Sequence, residues 1–91
     1  MKELRNQVEE VLSELIDPEA GVDVITLGLL ESVALHGTTV SIEMVPTTPG
    51  CPLLHSMSEA AHHMLAPHFQ GMTIDLQWRL DIEWTPDRMT N

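Results

Sequence analysis

The 91 residues predict a small α+β domain of order α-β-β-α-β, a mixed sheet with two helices on one face. Three observations lead there. Two segments repeat apolar residues at helical spacing, two others alternate apolar and polar residues one by one, and proline or glycine stands at the junctions. The first helix is expected over residues 3–16, with Leu4, Val8, Val11, Leu12, Leu15 and Ile16 on one face and Glu3, Gln7, Glu9, Glu10 and Glu14 on the other. Asp17-Pro18 stops it, because the residue before a proline is pushed out of the helical region. A turn containing Gly21 covers residues 19–23. The apolar run Val24 to Leu30, with Gly28 inside it, reads as a short buried strand followed by a bend. Val33 and Leu35 extend it to a turn at His36-Gly37, and Val40, Ile42 and Met44 alternate with Thr39, Ser41 and Glu43 to complete a hairpin. After the Pro46–Pro52 loop, a second helix over 52–66 groups Leu53, Met57, Ala60, Ala61, Met64 and Leu65, with Pro52 suited to its first position and Pro67 ending it. The last strand alternates Ile74, Leu76, Trp78, Leu80 and Ile82 with Asp75, Gln77, Arg79, Asp81 and Glu83.

Length and composition suit one domain over residues 1–91. Apolar residues are 43% and charged residues 20%, a globular composition. With no tyrosine and one phenylalanine, the core is left to Leu, Ile, Val and methionine; Met44, Met57, Met64 and Met72 fall on the buried faces. Fourteen acids against four bases give a formal charge of −10. Such a surface repels phosphate backbones and anionic lipid, which argues against nucleic acid and membrane as partners. A single cysteine makes no internal disulfide, the N-terminal residues are charged and amphipathic rather than leader-like, and no apolar run approaches a bilayer span. The expectation is a cytoplasmic protein in a reducing compartment.

The segment Thr47-Thr48-Pro49-Gly50-Cys51-Pro52 carries the most chemistry. Two prolines and a glycine restrict the backbone around the lone cysteine, at the expected start of the second helix. The helix dipole and the free N–H groups of a first turn favour the thiolate, which is the nucleophilic and metal-binding form. Thr47 and Thr48 offer hydroxyl donors. The plainer alternative is a half-buried cysteine packed in a structured turn. Asp17-Pro18-Glu19 is a second candidate, either orienting a ligand near the thiol or simply ending the helix with solvated acids. Some of His55, Glu59, His62 and His63 share a helical face and His55 lies one turn from Cys51, but a solvated face with histidine as filler accounts for them better than metal ligation, and no HExxH or CxxC accompanies them.

Asp17-Pro18-Glu19, Asp23-Val24-Ile25, Leu27-Gly28-Leu29-Leu30, Thr48-Pro49-Gly50-Cys51-Pro52 and Trp84-Thr85-Pro86-Asp87-Arg88-Met89 occur in this order. Together they resemble the metal–sulfur cluster assembly factor domain, long catalogued as a domain of unknown function, whose relatives include bacterial SufT and PaaD proteins and eukaryotic cytosolic iron–sulfur targeting factors. The resemblance runs from about residue 3 to residue 89. It implies an α+β fold and a role in maturing iron–sulfur proteins rather than an enzymatic one. It also implies a site in which Cys51 is the reactive or ligating residue, with Thr48, Asp17 and Glu19 beside it. The chain departs from the family where Thr26 stands in place of an acid before Leu-Gly-Leu, and where Glu31-Ser32 follows that motif.

An iron–sulfur cluster normally takes four ligands, so one cysteine cannot hold it alone. A cluster on Cys51 would bridge subunits of a homodimer, borrow a small thiol, or pass transiently to an assembly or client protein. The alternative is a non-catalytic adaptor of the PaaD kind serving a multicomponent oxygenase through a charged sheet face. A thiol enzyme with His55 as base ranks last, since no third group orients the pair.

Overall fold

The structure is a computed structural model that describes residues 3–48, 50 and 52–89; Met1, Lys2, Pro49, Cys51, Thr90 and Asn91 lie outside them. Its elements are α1 (Leu4–Leu12), β1 (Ile16–Asp17), β2 (Val22–Asp23), β3 (Leu30–His36), β4 (Thr39–Met44), α2 (Leu54–Leu65) and β5 (Thr73–Trp78). The main sheet has the order β3-β4-β5, with β3 antiparallel and β5 parallel to the central β4. A parallel pair needs a crossover connection, and α2 supplies it. Both helices cover the same sheet face. Val8 and Leu12 of α1 and Met57, Ala61 and Leu65 of α2 form one core with Val40, Ile42 and Met44 of β4. The expected α+β class and mixed sheet hold, as do the predicted apolar faces of both helices and of β4. Among the described residues, no helix is long and apolar enough to cross a membrane.

The boundaries differ in instructive ways. Helix α1 stops at Leu12, not residue 16. The Ser13 hydroxyl donates to the Glu10 carbonyl at 2.7 Å, a local bond that competes with helix propagation. Leu15 is still buried, but Ile16 is 51% exposed and pairs with Asp23 in a two-stranded ladder, β1-β2, closed by the turn at Gly21. Helix α2 begins at Leu54, so Pro52 precedes the helix rather than opening it, and a 3-10 turn at Ala66–His68 carries Pro67.

The run Val24 to Leu30 is not a strand. Val24, Leu27 and Leu29 are buried by a turn in which the Leu27, Gly28 and Leu29 N–H groups donate to the carbonyls of Asp23, Ile25 and Val24. A short apolar run reads the same way in either conformation, and here the flanks decide. Asp23 Oδ2 accepts from the N–H groups of Ile25 (3.1 Å) and Thr26 (2.9 Å), and Gly28 takes a φ of +74° that turns the chain into β3.

Strand β5 ends at Trp78 although the alternation continues to Ile82. The Arg79 N–H donates to the Met44 carbonyl at 2.7 Å, and there β4 runs out. The next residue, Val45, donates to the Leu29 carbonyl instead, and Pro46 has no N–H. Without a neighbour to pair with, residues 79–82 turn away and Leu80 is 59% exposed. Arg79 forks onto Asp81 at 2.9 and 2.7 Å, and this charge-assisted pair holds the Asp81 carboxyl down at about 2.

Candidate functional site

Asp17 is the only buried charged side chain among the described residues, at 2% exposure. Its burial follows from the sequence around it. Pro18 bends the chain immediately after it. Asp17 Oδ1 then accepts the N–H groups of Glu19 at 2.8 Å and Ala20 at 3.4 Å, and its own carbonyl accepts from Gly21 at 2.7 Å. An Asp folded onto the two residues beyond it is the ordinary way a side chain mimics a backbone turn. The second carboxylate oxygen faces away from that turn and accepts the Thr47 hydroxyl at 3.4 Å.

Thr47 is placed from the other side. Met44 and Val45 are fully buried, Pro46 is buried beside them, and the chain emerges at half-buried Thr47. The Asp17–Thr47 bond therefore joins the Asp-Pro-Glu turn to the start of the loop that carries the cysteine. Cys51 and Pro49 lie outside the described residues. The described residues around them, Thr48, Gly50 and Pro52, are exposed, and the loop ends where Leu53 caps α2 with its carbonyl accepting from Met57.

Of the residues the sequence marks for the site, the structure brings Asp17 to this loop. Glu19 is exposed, and its backbone N–H donates to Asp17. Thr48 is exposed, and the threonine at Asp17 is its neighbour Thr47. No period in the sequence separates the two threonines, because the loop is irregular. The start of α2 at Leu54 also puts the expected helix dipole farther along the chain than the cysteine. The histidines do not gather. His55 pairs with Glu59 at 2.6 Å on an open surface, His62, His63 and His68 are exposed, and among the described residues no three His, Cys, Asp or Glu side chains converge as metal ligands.

The remaining motifs form a second assembly. The indole N–H of Trp84 donates to the Leu27 carbonyl at 2.7 Å, Arg88 Nε donates to the Gly28 carbonyl at 2.9 Å, and Arg88 also pairs with Glu31 at 3.0 Å. Glu31 is the extra residue of a β-bulge between Leu30 and Ser32, and from α1 Arg5 donates to the Leu30 and Glu31 carbonyls. The Leu-Gly-Leu turn and the Trp-Thr-Pro-Asp-Arg-Met tail are thus two halves of one clasp. A Cβ on Gly28 would lie 1.9 Å from the Arg88 carbonyl oxygen, so the turn accepts the tail only as glycine. Thr26 also belongs to this turn. Burial works to raise the Asp23 carboxyl, but the Thr26 hydroxyl and the backbone N–H groups of Thr26 and Ile25 outweigh it and hold the group below its ordinary value.

The Fe-S protein maturation auxiliary factor YitW of Bacillus subtilis (strain 168) is 30% identical over 90 residues, covering 96% of this chain and 86% of that protein. The Fe-S protein maturation auxiliary factor SufT of Staphylococcus aureus (strain USA300) is 32% identical over 79 residues, covering 84% and 88%. The crystal structure of a domain of unknown function, DUF59, from Bacillus anthracis superposes with a TM-score of 0.85 at 27% identity, over 94% of this chain and 83% of that one. Residues 5–73 match the family described as iron-sulfur cluster assembly protein, and the chain belongs to that family.

Proposed function

We propose that this protein is an iron–sulfur cluster assembly factor, not an enzyme, that takes up and passes on cluster material through Cys51. In this reading the Asp17–Thr47 pair fixes the loop that presents the cysteine. The observation that carries it is the buried Asp17 carboxylate, one oxygen of which closes its own turn while the other holds Thr47. A buried carboxylate is costly unless it is bonded, and here its bonds tie two distant segments together at the cysteine loop. Asp17 and Thr47 accordingly serve as positioning groups, and Cys51 is the one thiolate ligand the chain offers.

The cluster is cargo rather than a resident group. One thiolate falls three ligands short of a normal cluster site, so the remaining ligands come from a second copy, a small thiol, or the assembly or client protein at the moment of transfer. The names of the YitW and SufT relatives, both auxiliary factors in Fe–S protein maturation, support partners of that kind.

Anaerobic reconstitution with ferrous iron and sulfide tests the reading. Visible charge-transfer absorption is expected, lost in Cys51→Ala and reduced several-fold in Thr47→Val, which keeps the thiol but not the bond to Asp17. Equal loading of Cys51→Ala and the native chain would sink the role of the cysteine. Failure to load under any condition, with partner binding intact in Cys51→Ala, would support a non-catalytic adaptor instead.

A further inference from the structure

We propose that the free edge of β5 docks an extended, basic segment of a partner protein, which joins the sheet as a fourth strand. The sheet has two edges and they are not alike. The β3 edge is broken by the Glu31 bulge and covered there by Arg5, two devices that discourage strand addition. The β5 edge has neither. It is six regular residues long and contains no proline, glycine or lysine. Among the described residues, the backbone hydrogen bonds of Thr73–Trp78 all run to the β4 side.

The side chains along this edge describe the strand that fits it. Ile74, Leu76 and Trp78 are half-buried on the helix side, and Thr73, Asp75 and Gln77 are exposed on the open side. On the helix side, an open cleft of about 300 Å³ meets β5 at Ile74, with Phe69 and Met72 and the polar side chains of His62 and Gln70 also in its lining. One apolar side chain of an added strand would enter this cleft beside Ile74, and the alternate ones after it would lie against half-buried Leu76 and Trp78. The intervening side chains would lie over Asp75 and Gln77, on a chain whose formal charge is −10. Alternating apolar and basic residues meet both requirements, and strand addition draws its affinity from the main chain while the alternating pockets set its specificity.

Charge also decides against a second copy as the occupant. Each chain carries −10, and two β5 strands side by side would bring Asp75 against an equally acidic neighbour. The proposed edge is formed without the cysteine loop, so it stands or falls separately from the role given to Cys51.

The test uses the full chain and a synthetic ten-residue peptide alternating lysine with valine and threonine. Amide hydrogen exchange by NMR is expected to show at least tenfold added protection at alternate residues of 74–78, with binding that weakens as sodium chloride rises. The same peptide N-methylated at alternate residues is expected to bind at least tenfold more weakly, and Asp75→Lys, an exposed change, to lower affinity about fivefold. Absence of binding overturns the proposal. So does binding that survives N-methylation, which would be charge attraction alone, or protection that falls elsewhere. A peptide-free dimer in sedimentation with the same amides protected would assign the edge to a second copy and overturn the basic partner.

Discussion

Asp17 and Asp23 show how much a single carboxylate can organise when its neighbours are the right ones. Each accepts N–H groups two and three residues ahead, yet only Asp17 is buried and reaches across the fold, to Thr47. Asp23 has a local task, closing the turn that replaces the expected strand. Its carboxyl is held below its ordinary value of 3.8 in the folded chain. A depressed folded value means that the stabilisation is fully present above the ordinary value and is lost as pH falls through the folded one. Asp23→Ala, which removes the acceptor of the Ile25 and Thr26 N–H groups, is therefore expected to cost about 1 kcal/mol near pH 6, the usual worth of such a cap. The gap between variant and native chain is expected to narrow as pH falls from the ordinary value of 3.8 through the lower folded one, because protonation removes the charged acceptor from the native chain. Urea unfolding at a series of pH values measures this, and a gap constant down to pH 3 would remove the charge from the account.

At the level of elements, the sequence was most legible where one rule acted alone. The alternation from Val40 to Met44 and the helical spacing of Val8, Leu12, Met57, Ala61 and Leu65 both reported burial faithfully, because the sheet and its helices share a single core. Legibility failed where a distant partner set the outcome. The alternation past Trp78 is as regular as before it, but β4 turns away at Val45 and leaves nothing to pair with. The run Val24 to Leu30 looks like a strand until Asp23 caps it and the tail docks on Gly28. Likewise Thr47 and Thr48 are equivalent in sequence, and only the path of the Asp-Pro-Glu turn distinguishes them. The clasp between turn and tail has a direct test. Gly21 and Gly28 both have positive φ, +71° and +74°, but a Cβ at Gly21 meets open space whereas one at Gly28 meets the Arg88 carbonyl. Gly21→Ala is expected to cost about 1–2 kcal/mol, the backbone strain alone. Gly28→Ala is expected to cost about 2 kcal/mol more, because the tail must move and its bonds from Trp84 and Arg88 are lost. Equal costs in chemical denaturation would show that the tail does not rest on the turn.

For the molecule as a whole, the dominant long-range force is self-repulsion. The folded chain measures 33 × 27 × 22 Å and carries a formal charge of −10. Two like charges about 15 Å apart in water repel by about 0.3 kcal/mol before screening, and every pair of the excess acids contributes. At 0.01 M salt the screening length is about 30 Å, as large as the molecule, so most pairs are felt; at 0.15 M it is about 8 Å, and only neighbours are. Unfolding moves the charges apart, so the repulsion that salt removes is mainly a burden on the folded state. The favourable pairs work the other way. Arg5–Glu9, Arg79–Glu43, Arg79–Asp81 and Arg88–Glu31 all have partly exposed side chains, and surface pairs of this kind contribute little to stability. They are close-range and screened little between these salt concentrations, whereas the repulsion is long-range and screened strongly. The net expectation is a gain of about 1 kcal/mol between 0.01 and 0.15 M sodium chloride, or a rise in Tm of about 4–8 °C for a domain of this size. Scanning calorimetry across that range decides it. A rise that levels off by about 0.2 M is the screening of an over-acidic fold, and a Tm that stays flat or falls would mean that the four arginine pairs outweigh the repulsion.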